Sequence, residues 1–305
     1  MKFAVTGSSG FIASYLCRKL VAQGVDLVSL SSSSVQHEGA FDSTFVLTPE
    51  SPEELFVEAL KDVDVVIHLA GLAHRPRLLS SYADYLPYHN ANCVYTKKLL
   101  VASIVARVKR LVFVSSIGAQ SLSSPSAYIP NNYTITKAFA ELLVATASSS
   151  SSLEFVIIRP PLVYAKGCPG NLARLRHLFR SLPFNVFSAF DAKKSFISLP
   201  NLIEVLCLSA VHPRLANKTY EVSDPTPLSV SLLAQLFYKN PSPSLVLRIL
   251  SRILKTLVSL LFRRSRFYLQ VTSEQLVDST PFMRDSGWSP SANNSPPDSC
   301  SFFSP

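Results

Sequence analysis

No uncharged run in this chain is long enough to cross a bilayer, which argues against a membrane-spanning helix. Cysteine is sparse too: Cys17, Cys93, Cys168, Cys207 and Cys300 are odd in number, scattered and without metal-ligand spacing. That pattern speaks against a disulfide framework or a metal centre and for a reducing, cytoplasmic compartment. The first residues also lack the unbroken apolar stretch of a secretory signal, because Gly7 and Gly10 interrupt it. No internal repeat is visible. Acids are outnumbered, 20 against 29 lysines and arginines, which favours anionic partners: a diphosphate ligand, a membrane surface or nucleic acid. One further absence is local. The stretch "SLSSSSVQHE" has no acid before Glu38, although it follows the second expected strand.

What the chain does have is alternation. "KFAVTG", "VDLVSL", "VDVVIHLAG", "RLVFVSS" and "EFVIIRP" read as strands, and "FIASYLCRKLVAQG", "PEELFVEALKD", "NCVYTKKLLVASIVA" and "TKAFAELLVATA" read as the helices between them. Continuous Val/Ile/Leu runs suit a sheet covered on both faces. The expected fold is therefore α/β, a doubly wound parallel sheet. From "AKGCPGN" onward Pro, Ser and Arg interrupt the pattern. Residues 1–165 are expected to form the main domain, with "KTYEVSD" (218–224) returning to its sheet. Residues 166–290 are expected to form mainly a smaller lobe, and 291–305 a disordered tail. Ser148–Ser152 reads as a flexible surface loop.

"TGSSGFIA" joins the first strand to an amphipathic helix. In that position Gly7 allows a tight turn, and Gly10 lets backbone approach a pyrophosphate on the helix N-terminus. Ala13 is small enough for close helix–strand packing. Alone, such a turn is weak evidence. "NNYTITKAF" adds Tyr133 and Lys137, four apart and so on one helical face. "FVSSIGA" adds Ser115 and Ser116 at a strand end, where capping is the plain alternative.

In register, these elements resemble the extended short-chain dehydrogenase/reductase family, in its sugar-nucleotide epimerase/dehydratase branch. "VTGSSGFIA" is similar to the branch's TGxxGFxG, "DVDVVIHLAGLAH" to its fourth strand and "NANCVYTKKLL" to its Asn-to-Thr helix. "VIIRPPLVYAKGCPGNLARL", "KKSFISLPNL", "KTYEVSD" and "DSGWSP" follow in the family's order. The resemblance implies a Rossmann domain that binds NAD, with NADP left open, and a C-terminal lobe that takes a nucleotide sugar, UDP-linked. It assigns cofactor contacts to Gly7, Gly10, Phe11, Ile12, Ser31, Leu69, Ala70, Asn92, Ser115, Tyr133, Lys137 and Pro160. Substrate contacts fall to His74, Ser116, Tyr133, Asn171 and Lys194, the last standing where many relatives carry arginine. An ordinary loop histidine is the plain alternative for His74.

The implied chemistry is hydride transfer at C4 of a UDP-hexose or UDP-N-acetylhexosamine. A secondary alcohol releases hydride only as its hydroxyl proton leaves, which calls for a base. Tyr133 is that base in this reading. A free phenol titrates at about 10, and positive charge from Lys137 favours the phenolate. Ser116, or Ser115 should the alignment shift by one, hydrogen-bonds the reacting oxygen. A 4-epimerase is expected; a 4-keto-sugar reductase of polysaccharide synthesis and a non-catalytic dinucleotide sensor are the alternatives. The sensor reading draws on "VYAKG", Lys194 and a short Ser116-to-Tyr133 spacing. Where an acid would bind the ribose hydroxyls of NAD, Ser29 and Ser31–Ser34 stand instead, so discrimination against NADP is expected to be weak.

"SLVLRILSRILKTLVSLLFRR" (244–264) sets Arg248, Arg252, Lys255, Ser259 and Arg263 on one stripe of an otherwise apolar helix. Such a helix suits an anionic membrane surface; the plainer reading buries it in the lobe. A homodimer is a further expectation. Nucleic-acid binding is not, since no aromatic platform accompanies the basic residues.

Overall fold

The computed structural model describes residues 1–33, 41–73, 82–122, 131–165, 191–233, 256 and 272–291. The N-terminal half runs β1 (Lys2–Thr6), α1 (Phe11–Ala22), β2 (Asp26–Ser31), β3 (Ser43–Val46), α2 (Glu53–Ala59) and β4 (Val65–His68). Then come α3 (Tyr82–His89), a π turn (Asn90–Val94), α4 (Tyr95–Val105), β5 (Arg110–Val114), a 3-10 turn (Ile117–Leu122) and α5 (Asn132–Ser149). The rest supplies β6 (Glu154–Arg159), β7 (Leu162–Tyr164), β8 (Lys193–Lys194), β9 (Phe196–Ser198), α6 (Leu199–Val211), β10 (Lys218–Glu221), β11 (Leu228–Ser229) and α7 (Thr280–Ser286).

Seven strands pair in parallel in the order β10-β6-β5-β4-β1-β2-β3. This is the doubly wound sheet read from the alternation. Side chains take opposite faces in turn, and both faces are dry. Phe3, Val5, Ile67, Val112, Val114, Val156 and Ile158 join one core with Leu16 and Leu20 of α1. Ala4, Val66, Leu111, Phe113 and Ile157 join the other with Phe56 of α2, Leu99 of α4 and Ala140 of α5. Two buried faces leave no place for polar alternation, which is why the strands read as continuous apolar runs.

α6 departs from expectation. It falls in the stretch assigned mainly to the smaller lobe, yet Leu202, Val205, Leu206 and Ala210 pack on the sheet with α1. Its apolar face is broad enough to serve as the missing cover for that side. The return strand β10 pairs with β6, and α7 seals this edge through edge-on contacts of Phe282 with Tyr220 and Trp288.

Three local features were not read from the sequence. β3 is a short edge strand with alternating exposure. α3 carries Pro87 inside it, and the helix after it begins as the π turn Asn90–Val94, buried at Asn92 and Cys93. The serine run is not a free spacer: Ser148 and Ser149 end α5, and the hydroxyls of Ser149, Ser150 and Ser151 donate back to the carbonyls of Thr146 and Ala147. They satisfy the orphan acceptors at the helix end. Among the described residues, no helix is long and apolar enough to cross a membrane.

Candidate active site

Strand order reverses at β1, which pairs with β2 on one side and β4 on the other. In such sheets a crevice opens beyond the strand ends at that point. The chain leaves β1 through Gly7, whose φ is +64°, and Gly10 N–H closes the turn on Gly7 O at 2.8 Å. A Cβ on Gly7 would lie 2.9 Å from both Cα and N of Ala70, backbone that has nowhere to move. α1 then starts at Phe11 with Gly10 as its N-cap, no capping side chain and no acid in its first turn. Its first N–H groups are therefore open to an anion. This glycine-lined helix start fits the pyrophosphate of a dinucleotide. Phe11 and Ile12 are half-buried against the core beneath it.

The neighbouring turn is fixed from below. Thr6 Oγ1 accepts from Leu69 N at 3.1 Å and Ala70 N at 3.0 Å, and its proton is left for His68 Nδ1 at 2.7 Å. Nδ1 must then be the acceptor, so Nε2 carries the hydrogen and donates to Thr96 Oγ1 at 2.8 Å. Thr96 passes its own proton to Asn92 O at 2.7 Å. Burial holds the His68 imidazole well below its usual pKa, with the Lys137 charge adding to the effect. The chain is neutral and runs in one direction. Thr6, His68 and Thr96 were passed over in the sequence, although a histidine within "VVIHLA" needed partners to be buried.

Asn92 was expected to contact cofactor. Here it is 1% exposed, and its amide is committed elsewhere. Oδ1 accepts from Leu72 N at 2.7 Å, while Nδ2 donates to Leu72 O and to Thr136 Oγ1. It pins the loop after β4 to α5, so it shapes the site from behind. A Cβ on Gly71 would lie 2.9 Å from Asn92 Oδ1 and 3.4 Å from Lys137 Nζ.

Beyond β5, Ser115 and Ser116 separate clearly. Ser115 is buried and its Oγ finds no hydrogen-bond partner among the described residues. Ser116 is half-buried at the start of the 3-10 turn, its Oγ accepting from Gly118 N at 3.3 Å. Buried Pro160, after β6, receives Ile117 N–H on its carbonyl at 3.2 Å. α5 opens with a capping box between Asn131 and Thr134, which sets half-buried Tyr133 in the first turn. One turn deeper, Lys137 is 4% exposed, donates to Val114 O at 2.8 Å and lies 4.4 Å from the Phe113 ring centroid. Burial pulls its pKa down to about 8, against the opposing pull of Glu141 and Cys93.

At the end of β2, Ser31 is buried and its hydroxyl turns to Ser33 O. Ser29 bonds Ser8 Oγ at 2.7 Å, tying the glycine turn to β2. Lys194 lies on β8 and donates to Ser273 O at 2.8 Å, with burial lowering its pKa to about 8. Its ammonium is thus already engaged by a carbonyl. His74, Asn171 and nearly all of 244–264 lie outside the described residues.

An open helix N-terminus at the β1 switch point, with a serine turn and a Tyr-x-x-x-Lys helix on neighbouring elements, defines an α/β fold of the dinucleotide-binding kind. The NAD dependent epimerase/dehydratase family matches residues 3–223, and the chain belongs to that family. A UDP-glucose 4-epimerase from Vibrio cholerae is 28% identical over 300 residues, 94% of this chain and 90% of that protein. A 2-alkyl-3-oxoalkanoate reductase from Stenotrophomonas maltophilia is 26% identical over 261 residues, 80% and 77% of the two chains. Among solved structures, UDP-glucuronic acid 4-epimerase from Bacillus cereus in complex with NAD superposes with a TM-score of 0.69 at 17% identity. That match covers 96% of this chain and 94% of that one; at this identity the likeness is one of fold.

Proposed function

We propose that this protein is an NAD-dependent enzyme acting at C4 of a UDP-hexose or UDP-N-acetylhexosamine, and that it is a 4-epimerase. The supporting observation is the conjunction beyond the ends of the central strands β1 and β5: α1's open N-terminus, the Ser116 turn, and Tyr133 one helical turn from a buried Lys137. The dinucleotide, when bound, supplies the hydride acceptor and donor. Gly7, Gly10 and the first N–H groups of α1 hold its pyrophosphate. Ser116, the more exposed serine, hydrogen-bonds the sugar's O4, and Tyr133 takes the proton from that oxygen. Lys137 favours the phenolate through its charge, and the low-dielectric setting strengthens that effect. Past the end of β2 the exposed residues are Ser32 and Ser33 rather than an acid, so a 2′-phosphate meets no negative charge there and NADP is only weakly rejected.

Turnover of UDP-glucose, UDP-galactose and their N-acetyl counterparts, with and without NADPH, tests the reading. Tyr133→Phe should lower turnover about 10²- to 10⁴-fold while leaving dinucleotide binding and Tm nearly unchanged. Stoichiometric NADPH consumption on a 4-keto sugar would instead select a reductase, a reading supported by the oxoalkanoate reductase relative. Binding without turnover on any sugar would select a sensor.

The free thiols Cys17, Cys93 and Cys207 support residence in the reducing cytoplasm. Exposed Val101, Ile104 and Val105 on α4, with Phe139 and Leu142 on α5, support a homodimer through these helices. Light scattering of Leu142→Glu should then report a shift to monomer.

A further inference from the structure

Ser116 and Tyr133 stand on separate elements, and the reaction asks for a constant spacing between their hydroxyls. Gly118 lies where the two elements meet. A Cβ built on it would fall 2.6 Å from Thr134 Cγ2, and Ser116 Oγ is 3.7 Å from the same point. Glycine here therefore lets the serine turn close directly onto the first turn of α5.

Thr134 cannot readily step aside. It is 2% exposed. Its Oγ1 accepts from Asn131 N at 2.9 Å and donates to Asn131 O at 3.0 Å, while its own N–H donates to Asn131 Oδ1 at 3.0 Å. Rotating χ1 to swing Cγ2 away would break both hydroxyl bonds to Asn131, one of them belonging to the capping box. Tyr133 is the preceding residue, so a displaced helix start carries the phenol with it. On the other side, Gly118 N donates to Ser116 Oγ at 3.3 Å, so a displaced turn carries the serine.

We propose that Gly118 and Thr134 are a matched pair, no side chain against a branched one, that sets the distance between the Ser116 and Tyr133 hydroxyls. Both act as positioning residues, and the proposal rests on the assignment of Ser116 and Tyr133 to proton transfer. It makes a specific claim about one atom, Thr134 Cγ2. Thr134→Ser deletes that methyl and keeps the capping hydroxyl. The nearest atoms to a methyl at position 118 would then be Thr134 Cβ at 3.6 Å and Ser116 Oγ at 3.7 Å, ordinary van der Waals contacts.

The test is a double-mutant cycle on Gly118→Ala and Thr134→Ser, reading kcat, dinucleotide Kd and Tm. Gly118→Ala should lower kcat about tenfold or more, since small misplacements of reacting groups are costly, with dinucleotide Kd unchanged. In the Thr134→Ser background the same change should cost less than about threefold. An equal loss in both backgrounds, or no loss in either, overturns the proposal. Should Gly118→Ala alone not fold, the double variant decides: folded and active supports the pairing, whereas folded with kcat still about tenfold down overturns it. Crystal structures of the four proteins read the Ser116–Tyr133 hydroxyl distance without any turnover. That distance should widen only in Gly118→Ala, and constancy overturns the proposal even if no sugar proves to be a substrate.

Discussion

Two buried polar clusters support this molecule, and they are built on opposite principles. Beneath the cofactor crevice, Thr6, His68, Thr96 and Asn92 form a neutral chain in which each proton has one destination. Where the smaller strands meet the sheet, Asp224 is a hub. Tyr164 OH donates to it at 2.5 Å, Ser198 N at 3.0 Å and Asn201 Nδ2 at 2.7 Å. Burial raises the pKa of Asp224, and its three donors pull the other way. A hub with three donors holds distant segments together but turns costly when its acceptor is lost. A neutral chain carries less energy and more geometric information, because it admits a single tautomer. The cluster beneath the glycine turn is the directional one.

The sharpest break in this comparison is at the hub. Asp224→Ala removes the acceptor shared by three buried donors and should cost about 3 kcal/mol or more of unfolding free energy, read by urea denaturation. His68→Leu should cost less, about 2 kcal/mol, since it strands chiefly the Thr6 proton. It should also weaken dinucleotide binding, measured by calorimetry, because Thr6 would no longer hold the Leu69–Ala70 turn in one orientation. If the two variants prove equally destabilising and His68→Leu binds dinucleotide normally, the distinction fails.

Acid separates the clusters further. The folded value of His68 lies below its unfolded value of about 6.5. Its contribution is therefore present above that pH and lost as pH falls beneath it. Stability should decline from about pH 6.5 downward, and His68→Leu should flatten that limb. At the alkaline side, the Lys137 ammonium discharges as pH rises through about 8, withdrawing the charge that the proposed mechanism assigns to Tyr133. An alkaline limb of kcat/KM near that pH should move upward in Lys137→Arg, which stays charged. The smallest effect belongs to the glycine turn: Ser29→Ala removes the bond to Ser8 and should cost about 1 kcal/mol, lowering Tm by about 2 °C.

Much of the fold was legible because its cause is local. Apolar runs such as "RLVFV" and "EFVIIR" can lie only in a strand covered twice. α6 was harder. An apolar helix must be buried, but the sequence does not say against what, and long-range packing on β4, β5 and α1 decided it. The candidate site divides in the same way. The turn at Gly7 and Gly10 and the shared helical face of Tyr133 and Lys137 were readable from spacing along one turn or one helix. The commitment of Asn92 to Leu72 and Thr136, the split between Ser115 and Ser116, and the partners of His68 were not, since each joins residues from separate strands or helices.

By itself, the order of residues determined which segments become strands and helices and which glycines permit a tight turn, because dihedral preference and apolar periodicity act within a few residues. Only the folded chain decided which of Ser115 and Ser116 is buried, which tautomer His68 holds and why position 118 has room for no side chain. Those properties depend on atoms distant in sequence approaching within hydrogen-bond or van der Waals range, and the sheet's crossover topology alone brings them together.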